Sequence, residues 1–217
     1  MSERARDSRA TKSHALAAVI VGAGAGRRFG GPKAVATLAG GVRFVDAIAE
    51  IAAAAGLDPI VAVLPPNVAA PTPKGARVLI VINDNPDSEQ IASIRLGLAQ
   101  LVNAAVSGAL IWPVDHPFVH LESVLAVMDG ARRSAAPIVV PVHEERRGHP
   151  TLFHRDVWRE LMTVRADGAR GVVRLDSQRV HEVDVHDFGV LREITTLEDL
   201  ERASAELSQT TGLPPVP

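Results

Sequence analysis

The sequence predicts an α/β fold, a three-layer α/β/α sandwich around a mostly parallel sheet, and three observations carry that expectation. Short runs rich in β-branched residues alternate with longer helix-periodic segments along most of the chain. The first run, Leu16–Val21, is apolar at every position, as a strand covered on both faces must be. No internal repeat or long linker divides the 217 residues, so one domain with a substantial core is expected.

Taken in order, residues 1–13 are polar and read as a disordered tail before the domain, which spans 14–207. A strand over 16–21 runs into a glycine-rich loop, 22–33, and a helix comes next over 44–55. Strands are expected at 60–64 and 78–82, separated by a proline-bearing loop. The segment 88–102 reads as a helix with Ser88 as its N-cap. Strand 109–114, helix 121–133 and strand 138–141 complete the alternation, and the pattern turns irregular from there through residue 153. Short helices at 156–163 and 169–175, a strand over 180–185 and a helix from Thr196 close the domain, with a loose tail over 208–217.

Composition excludes several function classes. Net charge is −2 with acids and bases mixed, which argues against a broad nucleic-acid footprint. Aromatics make up 3% and tyrosine is absent, so base-stacking platforms are not expected. The absence of cysteine removes disulfides, thiolate catalysis and cysteine metal sites, and fits a cytoplasmic protein. Arg4, Arg6, Arg9 and Lys12 before an apolar run mimic a secretory signal, but cleavage near Ala25 would destroy the first strand and its loop. No apolar segment approaches the ~20 residues that cross a bilayer, so no membrane association is expected.

The glycine loop carries the chemistry. Its backbone reaches conformations closed to other residues, and Arg27, Arg28 and Lys33 add cations beside exposed N–H groups, which suits a polyphosphate. Register removes two owners. A P-loop would need Gly-Lys-Ser/Thr, but Pro32 separates Gly31 from Lys33 and Ala34 replaces the hydroxyl residue. A dinucleotide fingerprint from Gly22 or Gly24 would need a third glycine where Arg27 or Phe29 stands. Its acidic residue is missing too, because strand 60–64 ends in Pro65-Pro66-Asn67.

The segment Val21-Gly-Ala-Gly-Ala-Gly-Arg-Arg-Phe-Gly-Gly-Pro-Lys33 resembles instead the signature Leu-Ala-Ala-Gly-x-Ser-x-Arg-Met-Gly-x-x-Lys of nucleotidyltransferases. Gly24, Arg28, Gly30 and Lys33 fall on signature positions, whereas Gly22 and Gly26 stand where Ala and Ser are usual. Asn85-Pro86 with Ser93-Ile-Arg-Leu-Gly-Leu98, Pro113-Val-Asp-His-Pro117, and Gly148-His-Pro-Thr-Leu-Phe153 come after it in order. Together these are similar to the molybdenum-cofactor cytidylyltransferases, of the MobA-like NTP transferase family, across about residues 15–203.

The resemblance implies a nucleotide-diphospho-sugar transferase (Rossmann-like) type of fold and transfer of CMP from CTP to the terminal phosphate of a molybdopterin-type acceptor, releasing pyrophosphate. It implies Mg²⁺ as cofactor and a molybdenum enzyme as protein partner. Arg28 and Lys33 would stabilise charge on the phosphates, and Asp115, a hard oxygen donor expected at a strand's carboxyl end, would hold the metal. Without the resemblance, Asp115 reads equally as a turn aspartate between Pro113 and Pro117. Gly22, Ala23, Gly24 and Ser93 would contact the nucleotide, and Gly148, His149 and Pro150 would line the acceptor site. Ser93 can alternatively cap a helix, and Arg27 stays open between phosphate contact and solvated surface. The attacking phosphate is already anionic, so no general base is required.

Ala23 leans towards CTP, since the guanylyl branch carries Ala-Gly-Gly there. Two departures stand out. The usual Asp-Ile-Asp-Thr-Pro-Glu-Asp reads Glu193-Ile-Thr-Thr-Leu-Glu-Asp199, so Thr195 replaces the central carboxylate, with Glu193, Asp184 or Asp187 as substitutes. The glycine usual before Ser93 is replaced by Glu89 or Gln90. A sugar- or alditol-phosphate nucleotidyltransferase on the same scaffold is the rival enzyme reading. A non-catalytic nucleotide-binding or chaperone-like protein is the rival that Thr195 favours.

Overall fold

The computed structural model describes residues 15–85 and 87–211. The expected tail 1–13 and the proline-rich end 212–217 lie outside the described residues. Strands β1 (Leu16–Val21), β2 (Ile60–Leu64), β3 (Val78–Ile82), β4 (Gly108–Pro113), β5 (Ile138–His143), β6 (Arg146–Arg147), β7 (Thr151–His154) and β8 (Val180–Asp184) form one sheet. The strand order is β3-β2-β1-β4-β7-β5-β6, with β8 paired to β5. The β3-β2-β1-β4 half and the β5–β8 pair are parallel, and β7 runs antiparallel between β4 and β5.

Side chains alternate across β1 and assign the two cores. Leu16, Ala18 and Ile20 face a layer with α1 (Phe44–Ala54), α3 (Leu121–Arg133) and α6 (Leu197–Thr211). Ala17, Val19 and Val21 face the other, with α2 (Gln90–Gln100), α4 (Trp158–Thr163) and α5 (Gly168–Arg174). These helices on both faces give the three-layer α/β/α architecture. Close approach of α2 depends on Gly97, where a Cβ would lie 2.3 Å from Val19 Cγ1.

Two expectations need correcting. Residues 142–153, expected as irregular, hold the end of β5 and the strands β6 and β7. β7 is four residues long and antiparallel, so it breaks the β–α alternation that marks the other strands. Helix α2 starts at Gln90 with Glu89 at its N-cap position and no side-chain cap. Ser88, expected as that cap, donates to the Asn85 carbonyl instead. Helix α6 runs over Leu197–Thr211, starting one residue after the expected Thr196. There Asp199 accepts from the Thr195 and Thr196 N–H groups while Thr196 Oγ1 accepts from Asp199 N, a reciprocal capping arrangement. Among the described residues no helix is long and apolar enough to cross a membrane.

Candidate active site

Strand order reverses between β1 and β4, the place where an open parallel sheet leaves a crevice beyond its carboxyl ends. Val21 pairs with Pro113 in register, and Val114 N–H bonds the Val21 carbonyl at 3.0 Å. The glycine loop after β1 and Asp115 after β4 therefore leave the sheet side by side.

Within the loop, the Gly26 carbonyl accepts from the N–H groups of Phe29, Gly30 and Gly31 at 2.9, 3.0 and 3.2 Å. Gly26 sits at φ +59, and a Cβ there would lie 1.8 Å from the Gly31 oxygen. No other residue fits, so glycine replaces the usual Ser for a steric reason. Phe29 packs edge-on against Phe44, with ring centroids 6.1 Å apart, and ties the loop to α1. That anchor carries no sequence signal beyond an apolar residue among glycines. The loop's later N–H groups are spent inside the turn, whereas those of Gly24 to Arg28 have no intramolecular acceptor among the described residues.

The resulting cavity, about 260 Å³, is lined by Gly22, Gly24, Arg28, Lys33, Ser93 and Asp115, among others. Six expected nucleotide or metal residues thus meet at one place. Ala23 does not: its side chain is buried among the second core layer, between two lining glycines. Ser93 is buried, and its hydroxyl accepts from Asn83 Nδ2 at 2.9 Å, which leaves its own proton to donate. Asn83 also donates to Ser88 and accepts from Asn85 N–H, so it organises the turn between β3 and α2. Arg27 lines the cavity too and pairs with Asp87 on the opposite loop.

Asp115 Oδ2 accepts from Lys33 Nζ at 2.9 Å and Oδ1 from His116 Nδ1 at 3.2 Å. Burial alone would raise its pKa, but the His116 hydrogen bond and the Lys33 ammonium overcome that and hold it down to about 2. It stays ionised and faces the cavity. Among the described residues no cluster of three metal-ligating side chains exists. Mg²⁺ does not need one, since it binds through one or two carboxylates plus substrate phosphates and water. Asp115 beside a phosphate cradle fits that donor set.

The expected substitutes for Thr195 do not line this cavity. Asp187 is buried and accepts from His120 N–H, Ser123 Oγ and Gly189 N–H at 2.8, 2.7 and 2.8 Å, which secures the start of α3. Asp184 lies on β8, and Glu193 takes the Thr195 hydroxyl at 3.1 Å. Thr195 itself lines the cavity, brought there by Ile194 N–H bonding the Asp115 carbonyl at 2.8 Å.

A second cavity, about 360 Å³, adjoins the first, and Gln90 lines both. Gly148 and His149 line it, whereas Pro150 is buried beneath. Gly148 is held by its N–H to the Pro141 carbonyl at 2.8 Å, and a Cβ there would meet the Val190 oxygen at 2.4 Å. The His149 ring packs edge-on against His116, with centroids 4.7 Å apart. Burial, then the neighbouring His116, push the His149 pKa down to about 3 against the pull of Asp115, so the ring is neutral. Its Nδ1 has no hydrogen-bond partner among the described residues. Sequence reasoning misses His116; its place after Asp115 in the Asp-His-Pro segment is the available signal.

The family model for the MobA-like NTP transferase domain matches residues 18–183. A homologue of Mycobacterium tuberculosis Rv0371c from Mycobacterium sp. strain JC1 is similar at TM-score 0.73 and 25% identity, over 92% of this chain and 99% of that one. 2-C-methyl-D-erythritol 4-phosphate cytidylyltransferase from Thermus thermophilus gives 0.60 and 21%, over 88% and 98%. Molybdopterin-guanine dinucleotide biosynthesis protein A from Archaeoglobus fulgidus gives 0.61 and 20%, over 89% and 99%. No curated protein sequence matches closely enough to count as a relative. With the family model spanning most of the chain and the signature loop folded around its cavity, this chain belongs to the MobA-like NTP transferase family and is a nucleotidyltransferase.

Proposed function

We propose that this enzyme transfers CMP from CTP to the terminal phosphate of a molybdopterin-type acceptor and releases pyrophosphate, with Mg²⁺ held by Asp115. The observation that carries the reading is the pair of adjoining cavities, one built from the glycine loop with Lys33 and Asp115, the other from Gly148 and His149. An acceptor phosphate oxygen in the second cavity attacks the α-phosphorus of a triphosphate in the first. The new P–O–P bond forms as the bond to the bridging β-phosphate oxygen breaks, and pyrophosphate leaves.

The loop N–H groups from Gly24 to Arg28 cradle the triphosphate, and Arg28 and Lys33 neutralise charge that builds on the departing pyrophosphate. Ser93 donates its hydroxyl proton into the same cavity. Asp115 holds the metal, which when bound supplies charge neutralisation at the phosphate oxygens. Neutral His149 supplies a hydrogen-bonding ring to the acceptor and transfers no proton, since the attacking phosphate is already ionised. CTP is favoured by the resemblance alone, Ala23 standing where the guanylyl branch carries glycine, since its buried side chain does not line the cavity.

Pyrophosphate release measured with each NTP, Mg²⁺ and molybdopterin tests this reading. CTP-dependent release is the expected result. Release with GTP instead overturns the base, and release only with sugar or alditol phosphates overturns the acceptor. Saturable NTP binding with no release from any acceptor makes the protein a non-catalytic nucleotide binder.

A further inference from the structure

Transfer to a single phosphate leaves part of the second cavity unexplained. Arg170 and Arg174 both line it from α5, at i and i+4, one turn apart. Like charges at that spacing destabilise a helix, and α5 is only seven residues long. Among the described residues neither arginine has a carboxylate partner to offset this. Arg147 reaches the same cavity from β6, where its Nε bonds Glu182 at 2.6 Å. The wall between is apolar, with Ile94, Phe153 and Val173.

The attacking phosphate belongs at the end that meets the nucleotide cavity, near Gln90 and His149. Gly168, at the start of α5, packs against Ile91, the neighbour of Gln90. Arg170 therefore stands nearer the phosphate end, and Arg174 lies about 6 Å further along the helix axis. A guanidinium lining a concave site suits a planar or tetrahedral anion.

We propose that Arg174, with Arg147 from β6, forms a second anion subsite in this cavity, so that the acceptor is a phosphomonoester that carries another acidic group on the part of its body lying along this wall. This rests on reading the cavity as the acceptor site. The subsite selects among acceptors and takes no part in the bond change.

The test uses the full chain with CTP and Mg²⁺ present and compares binding of phenyl phosphate with 4-carboxyphenyl phosphate by calorimetry. The carboxylated ester is expected to bind about tenfold tighter, the effect of one charge-assisted contact. Arg174→Ala removes that preference, Arg174→Lys keeps part of it, and CTP affinity is unchanged in both. Equal binding of the two esters by the parent chain overturns the proposal, as does a preference that survives Arg174→Ala. Equal weakening of both esters in Arg174→Ala also overturns it, because the arginine then serves the phosphate. CTP binding that persists through such a failure leaves the nucleotide site standing, whereas loss of CTP binding by the parent chain overturns the proposed function itself.

Discussion

Replacing Asp115 with Asn separates the chemical role of that carboxylate from its structural one. Its pKa falls from 3.8 to about 2, and its side chain is 19% exposed. At about 1.4 kcal/mol per pKa unit, the ionised group contributes about 2 kcal/mol to folding at neutral pH. A carboxylate with a depressed folded-state pKa contributes in full above its unfolded value and loses that contribution as pH falls through the folded value. The deficit of Asp115→Asn is therefore about 2 kcal/mol in urea unfolding at pH 7, and it shrinks between pH 4 and pH 2, the window set by those two pKa values. Lys33, 14% exposed, keeps only a neutral amide oxygen beside it. Turnover falls by about 10²–10³ or more, as for loss of one preorganised electrostatic contact, while the circular dichroism spectrum is retained. Turnover comparable to the parent chain at saturating Mg²⁺ would show that the metal sits elsewhere. A deficit equal at pH 7 and pH 2 would refute the electrostatic account of Asp115.

Gly26→Ala forces a Cβ against the Gly31 oxygen at positive φ, so nucleotide affinity measured by calorimetry falls at least about tenfold as the loop reorganises. Gly97→Ala intrudes on Val19 and costs about 1–3 kcal/mol in denaturant unfolding. Gly22→Ala meets Leu64, Ala34 and Val114 at 3.2–3.4 Å, costs less than about 1.5 kcal/mol and retains turnover. The His149 ring resonances stay those of neutral imidazole from pH 8 to about pH 5, where an exposed histidine titrates near 6.5. Thr195→Asp adds a carboxylate to the nucleotide cavity and lowers the Mg²⁺ concentration at half-maximal rate; an unchanged value shows that this position does not reach the metal.

Much of this site is legible in the sequence because its parts obey local rules. β1 is apolar throughout, so it has to be central, and the loop leaving a central parallel strand has to reach the ligand edge. Arg28, Lys33 and Asp115 come from counting register. β7 escapes detection because four residues after an irregular loop show no periodicity long enough to register. The Asn83–Ser88–Ser93 network reads in sequence as a helix cap because hydroxyl partners are set by the β3-α2 turn in three dimensions. Ala23 faces the core because strand alternation carries past Val21, a consequence of pleat that motif matching does not see. Arg170 and Arg174 give no signal, since a basic pair in a short helix looks the same in sequence whether it faces solvent or a cavity.

The charges of the nucleotide cavity show how the site tolerates its cations. Arg27 is paired with Asp87 and Lys33 with Asp115, so two of its three basic side chains are already neutralised within the protein. Arg28 has no carboxylate partner among the described residues. On the proposed function, a triphosphate entering this cavity would exchange intramolecular ion pairs for phosphate contacts, and the carboxylate released by Lys33 would be free to take a divalent cation. Only one carboxylate lines the cavity among the described residues, because Thr195 stands where the family usually carries another. On the proposed function, a lone carboxylate paired with Lys33 would hold Mg²⁺ weakly without nucleotide, and triphosphate oxygens would supply most of its ligands. Under that reading, Thr195 and the Lys33–Asp115 pair would favour delivery of the metal together with the nucleotide over a resident ion.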